Sequence, residues 1–286
     1  MATLRHYSAP SPAMDHFQSI PRQQRAEPFL KWAGGKKRFI PLFDSLLPSH
    51  FETYHEPFLG GGSVFLYLSH TNRIQRALLS DINAELIHLY RVIRDQVDAL
   101  IAELQSYPYN PTFYYEIRGL EPTQISPLKR AARMLYLNRT CFNGLYRVNR
   151  QGRFNVPIGR YENPVICNTQ NLRNVERALT GVELQCWSFE TALEFARPGD
   201  FFYLDPPTMS GSSGKNDSLT EKEQGRLYEI VRILDRRGCL VMLSNLNTPF
   251  TKDLFSNFDQ RELRDPRSNS RRTRGRKTQL VIRNYA

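Results

Sequence analysis

Asp205-Pro206-Pro207-Thr208 is the stretch of this chain with the most chemistry in it. It follows the apolar run Phe201-Phe202-Tyr203-Leu204, which reads as a strand, so the carboxylate falls at a strand's C-terminal end. In open α/β sheets ligands bind at that edge. Two consecutive prolines fix φ and carry no N–H, so they present a rigid row of bare carbonyl acceptors. A carboxylate beside such a carbonyl suits one task well: accepting both protons of an exocyclic amine.

Three further groups could share that site. Gly60-Gly61-Gly62 lies between a strand-like and a helical stretch, where backbone can approach a ligand with a helix N-terminus behind it. A glycine cluster alone is weak, since many are plain turns. Asp81 ends the next strand-like run, about twenty residues on, where a carboxylate meets a ribose hydroxyl pair in nucleoside-binding folds. Together these favour a nucleoside site over coincidence. Glu56, pointing into it, would repel a pyrophosphate but suit the sulfonium and ammonium of S-adenosyl-L-methionine, which leaves NAD the weaker candidate. The segment Asn138-Arg139-Thr140-Cys141-Phe142-Asn143-Gly144-Leu145-Tyr146-Arg147-Val148-Asn149-Arg150 interleaves basic, amide and aromatic residues. Arg can bond guanine O6/N7, Asn can read adenine N6/N7, and Phe142 could wedge beside a base step. Gln151-Gly152 predicts a hairpin turn before Phe154-Asn155-Val156. Such a hairpin in isolation is more often a surface loop; in a basic protein it tilts towards DNA contact.

Positioning these residues requires an ordered scaffold. A glycine turn over 29–37 leads into a helical pattern (Phe39, Ile40, Leu42, Phe43, Leu46, Leu47) closed by Pro48. Strands are expected over 53–58 and 77–80, with helices over 64–68 and 84–104, which is the βαβα rhythm of a parallel sheet. From about 107 to 165 the texture turns to Tyr, Asn, Arg and Pro without that rhythm and reads as an insertion. Strands then resume over 182–186, 201–204, 239–243 and 279–282, with a helix over 221–234. The expected fold is an α/β Rossmann-like sheet with an inserted, mainly helical module carrying a β-hairpin. Residues 28–95 and 180–286 would form the catalytic part, 96–179 the insertion, and 1–27 a disordered, mobile extension.

Composition narrows the class. The 286 residues are 40% hydrophobic and 12% aromatic, enough for a packed core. The net charge of +11 points to a polyanionic partner. Between Arg261 and Lys277 stand eight basic residues against two acids; such a run is otherwise a solvated tail, but the strand-like 279–282 after it makes it a loop of the fold. Cys141, Cys167, Cys186 and Cys239 show no CxxC spacing, and all six histidines precede residue 89. A reducing cytosol, no structural zinc and no metal chemistry are therefore expected. No apolar run approaches the ~20 residues of a membrane span, and the Pro-, Ser-, Gln- and Arg-rich N-terminus lacks a signal core. A cytoplasmic, nucleoid-associated monomer is expected.

The motifs Lys31-Trp32-Ala33-Gly34-Gly35-Lys36, Glu56-Pro57-Phe58 with the following glycines and Ser63, Asp81-Ile82-Asn83, Asn138-Arg139 with Phe142-Asn143-Gly144-Leu145 and Arg147, Phe154-Asn155-Val156-Pro157 with Gly159 and Tyr161, and Asp205-Pro206-Pro207 stand in one order. In that order they resemble the Dam-type (D12 class) DNA adenine methyltransferases from Pro28 to Tyr285. The resemblance implies transfer of a methyl group from S-adenosyl-L-methionine to N6 of a flipped adenine, usually in GATC, on double-stranded DNA. Catalysis would rest on Asp205 and Pro206. Trp32, Lys36, Glu56, Phe58, Gly60, Asp81, Phe189 and Asp205 would hold the cofactor. Lys31, Arg139, Phe142, Asn143, Arg147 and Asn149 would address DNA, and Arg271, Arg272, Arg274 and Lys277 its backbone.

The family pattern continues Asp-Pro-Pro with Tyr, then a loop with a Phe-Thr-x-Tyr-like element. Here Thr208-Met209-Ser210-Gly211 follows directly, which reads as a deletion in that loop. Base-on-aromatic stacking is worth about 1–3 kcal/mol, so a catalytically impaired or inactive DNA- and cofactor-binding homologue is the alternative reading. A dinucleotide-dependent oxidoreductase is disfavoured by Glu56 and the basic insertion.

Overall fold

The computed structural model describes residues 12–207, 219–264 and 278–285. Seven strands form one sheet: β1 (Thr53–Glu56), β2 (Arg76–Ser80), β3 (Glu183–Gln185), β4 (Phe201–Leu204), β5 (Leu240–Leu246), β6 (Asp259–Leu263) and β7 (Gln279–Arg283). Their order is β3-β2-β1-β4-β5-β7-β6. The first five run parallel, and β7 is antiparallel to both β5 and β6. The chain travels outward from β1 to β3, then returns to lay β4 beside β1 and continues the other way. The loops leaving β1 and β4 therefore emerge side by side, at the topological switch point where open sheets bind ligands. All four residues of β4 are buried, as expected of a central parallel strand covered on both faces.

Strand alternation sorts the core into two layers. Tyr54, Phe201, Tyr203, Met242 and Val281 pack on one face with α2 (Ile40–Phe43), α3 (Ser63–His70) and α4 (Ala84–Gln105). Phe202, Leu204, Val241, Leu243 and Ile282 pack on the other with Leu227, Ile230, Val231 and Leu234, a helical spacing that names the buried stripe of a later helix over Glu221–Arg236. Between α4 and β3 lie α5 (Pro111–Gly119), α6 (Pro127–Thr140) and α7 (Thr169–Leu179); the Glu221–Arg236 helix is then α8, and α9 is Pro249–Leu254. Asn83 caps α4, its side chain accepting from the Glu85 and Leu86 amides, and α4 kinks at Gln96. Thr220 and Glu223 form a reciprocal capping box at α8.

Several expectations change. Residues 12–27 are not a disordered extension: α1 (Pro12–Ser19) buries Met14, and Phe17 meets Tyr67 edge-on at 5.0 Å. Asn174 donates to the Gln23 and Arg25 carbonyls, fastening this segment to α7. Its polar composition conceals an amphipathic turn. The hairpin around Gln151-Gly152 exists as a tight turn with one isolated Val148–Phe154 bridge rather than two strands. Strand β6 was not anticipated, because Asp259-Gln260-Arg261-Glu262-Leu263 has the charged texture of an edge strand.

Candidate active site at the sheet switch point

A cleft of ≈ 910 Å³ opens above the ends of β1, β2 and β4. Asp205 enters it from the end of β4 and keeps 17% of its side chain open. Lys36, 3% exposed, comes from the glycine turn and meets Asp205 Oδ1 at 2.6 Å, while also donating to the Gly34 carbonyl at 2.8 Å. Burial pushes the Asp205 carboxyl up, and the Lys36 ammonium pulls it back. A single β-to-loop transition thus places the acid, and a turn distant in sequence supplies its counter-charge.

Glu56 stands at the end of β1, 2% exposed. Its Oε2 accepts from the Tyr54 hydroxyl at 2.9 Å and the Phe65 amide at 3.3 Å. Desolvation dominates those bonds and pushes its carboxyl up to about 8, with Asp205 and Asp81 adding repulsion. Asp81, at the end of β2, accepts from the Gly60 amide at 3.0 Å and the Asn83 amide at 2.9 Å, and burial raises its pKa as well. Gly60 has φ +47°, and a Cβ there would sit 2.8 Å from Trp32 Cδ1. Only glycine lets the indole lie against this loop. The Tyr90 hydroxyl donates to the Gly60 carbonyl at 3.1 Å, fixing the loop from beneath.

Aromatic residues close the far wall, where Phe58 and Phe189 stack at 5.1 Å. Of the expected cofactor residues, Trp32, Lys36, Glu56, Phe58, Gly60, Asp81, Phe189 and Asp205 all line this one cleft, together with Pro206 and Lys31. Sequence reading missed Ile82, which is 78% exposed on the same cleft. An apolar side chain directly after the acid that ends a strand was the available signal. It also missed Tyr54 and Tyr90, whose hydroxyls hold Glu56 and the glycine loop; inside apolar runs they look like ordinary core.

The residues expected to address DNA separate into two kinds. Phe142 is 47% exposed and Asn143 is exposed with φ +55°. Others are already engaged. Arg139 Nε donates to the Val165 carbonyl at 2.7 Å, and Arg147 Nε donates to Asn155 Oδ1, also at 2.7 Å. Asn149 Oδ1 accepts from the Gln151 and Arg153 amides, so this side chain builds the turn. Arg271, Arg272, Arg274, Lys277 and Thr208 lie outside the described residues. Among the described residues, no group of three or more His, Cys, Asp or Glu could hold a metal ion, and no helix is long and apolar enough to cross a membrane.

A seven-stranded sheet of this order, with a glycine loop after β1 and acids ending β2 and β4, is the S-adenosylmethionine-dependent methyltransferase fold. The chain belongs to the D12 class of N6 adenine-specific DNA methyltransferases, whose family model matches residues 32–268. It is similar to the Type II methyltransferase M.MjaIII of Methanocaldococcus jannaschii, 38% identical over 257 residues, covering 82% of this chain and 89% of the relative. It is also similar to the Type II methyltransferase M1.LlaDCHI of Lactococcus lactis subsp. cremoris, at 34% identity with 90% and 95% covered. The DNA adenine methylase of Escherichia coli is 35% identical, with 79% and 83% covered.

Proposed function

We propose that the protein transfers methyl from S-adenosyl-L-methionine to N6 of an adenine flipped out of duplex DNA, with GATC as the target. The observation that carries this reading is the convergence of Asp205-Pro206, Glu56, Asp81 and the glycine loop on one cleft. The residues fit a cationic nucleoside. Glu56, Asp81 and Asp205 line the cleft with carboxyls whose pKa burial raises, and a bound cation would draw them to the ionised form; Asp81 would meet a ribose hydroxyl pair. Phe189 and Ile82 offer apolar faces to an adenine, and Trp32, packed against Gly60, offers an aromatic edge to the same cleft. S-adenosyl-L-methionine would supply the electrophilic methyl.

The protein's own part is positioning and electrostatics. Adenine N6 is a poor nucleophile because its lone pair is delocalised into the ring. Asp205 and the Pro206 carbonyl would accept its two N–H bonds and localise the lone pair towards the methyl. Lys36 occupies Asp205 Oδ1, which leaves Oδ2 to receive the amine, and its ammonium opposes the rise that burial imposes on the acid. Reaching this recess requires the adenine to leave the stack. Lys31, Phe142, Asn143 and Arg147 would contact the target, Arg271, Arg272, Arg274 and Lys277 its backbone, and residues 96–179 form the target-recognition part.

One observation favours a second reading. The stretch 208–218 carries no aromatic residue where the family pattern has Tyr; a homologue that binds but does not methylate would follow. Both are tested by transfer of labelled methyl from S-adenosyl-L-methionine to a GATC duplex, with Asp205→Ala alongside. Transfer reduced about 10²-fold or more in the variant is expected. Binding of both ligands without transfer by the unaltered protein would select the second reading.

A further inference from the structure

Asn138 is 1% exposed, yet none of its side-chain partners belongs to its own helix. Its Oδ1 accepts from the Lys31 amide at 2.8 Å, and its Nδ2 donates to the Lys31 carbonyl at 3.0 Å and the Gly144 carbonyl at 3.1 Å. Exchanging both bonds with one residue is how a neighbouring strand holds its partner, and here an amide side chain does it across 107 positions of sequence. A buried amide is tolerated only with its bonds made, so the Lys31 backbone is fixed to α6 and to the Phe142–Gly144 turn.

Lys31 is gripped on its other sides too. At Gly144, with φ +65°, an added Cβ would fall 2.2 Å from Lys31 Cβ, so that turn lies directly against the lysine. The Lys31 ammonium sits 3.8 Å from the centre of the Tyr161 ring and donates to the Arg139 carbonyl at 3.3 Å. The next residue, Trp32, lines the cleft between that segment and the glycine loop. Its indole lies against Gly60 and meets the Tyr146 ring at 5.5 Å. The dipeptide Lys31-Trp32 is thus held at one end by the segment carrying Phe142 and Asn143 and at the other by the glycine loop.

We propose that Asn138 is a positioning residue that couples occupancy of the cofactor cleft to the conformation of the Phe142–Arg147 segment, through Lys31-Trp32. This rests on the cofactor and DNA reading given above. A ligand against Trp32 and Gly60 restricts the indole, Trp32 cannot shift without Lys31, and Lys31 cannot shift without the turn at Gly144. Coupling of this kind is reciprocal and ordinarily amounts to roughly 5- to 150-fold in affinity.

The full chain is titrated with a fluorescent GATC duplex, without and with saturating sinefungin, while thermal unfolding and sinefungin affinity alone are recorded. Sinefungin is expected to tighten DNA binding by at least about fivefold in the unaltered protein, and by no more than about twofold in Asn138→Ala. Asn138→Asp keeps the bond from the Lys31 amide but loses both donations, and does not restore the ratio. Gly144→Ala presses directly on the Lys31 side chain, where an added Cβ would fall 2.2 Å from Lys31 Cβ, and carries the test if Asn138→Ala does not fold. A merely structural role would weaken DNA binding equally with and without sinefungin. An unchanged ratio in either folded variant, or no coupling in the unaltered protein, overturns the proposal. If the unaltered protein binds neither ligand, the underlying function fails with it, and that control separates the two failures.

Discussion

Glu56 shows how far surroundings can move one side chain from its ordinary chemistry. Its carboxyl titrates near 8 because burial outweighs the bonds from Tyr54 and Phe65. With the folded value raised above the ordinary 4.5, its contribution to stability is fully present below 4.5 and disappears as pH rises through about 8. Stability of the ligand-free protein should therefore decline between those values, and Glu56→Gln should flatten that part of the profile in urea titrations. A bound sulfonium and ammonium would favour the ionised acid, so affinity for S-adenosyl-L-methionine should rise over the same interval in the unaltered protein only. A profile indifferent to Glu56→Gln would show that the residue is not buried with its acid unpaired by charge. The presence of an acid here was readable from the sequence. Its raised pKa was not, because that depends on Tyr54, Phe65, Asp81 and Asp205 being packed around it.

At the scale of elements, short loops leaving strands do most of the positioning. Gly60 follows β1 and must leave room for Trp32, so Gly60→Ala should weaken cofactor binding by more than about tenfold, the consequence of displacing an indole from its packed position. Isothermal titration would read this, and a variant binding as before would remove the glycine loop from the site. Asn83 both caps α4 and donates its own amide to Asp81. Asn83→Ala should cost about 1 kcal/mol of stability in denaturant melts, the usual value of an N-cap. These loops were legible because glycines, an acid and an Asx cap each have a local conformational reason. Strand β6 and α1 were not, since a charged edge strand and a short polar helix gain their order from what they pack against.

Across the whole molecule, charge and topology act together. A net charge of +11 predicts DNA binding that weakens steeply with salt. Replacing Arg271, Arg272 and Arg274 by Ala should lower the slope of log affinity against log salt by about 0.9 for each phosphate no longer neutralised, equally for GATC and other duplexes. A weakening confined to GATC would instead mark these arginines as base readers. The sequence by itself determined the parallel sheet, the acid at the end of β4, the glycine loop and the run of basic, amide and aromatic residues over 138–150. Each is written in a local pattern: an apolar run buried on both faces, a turn that demands glycine, a proline pair that fixes φ. Only the tertiary structure decided which of these share a cleft. Lys36 reaches Asp205 across 169 residues, and Asn138 reaches Lys31 across 107. The reversal of strand order between β1 and β4 and the packing of α6 against the glycine turn bring those side chains together, and no local pattern encodes either.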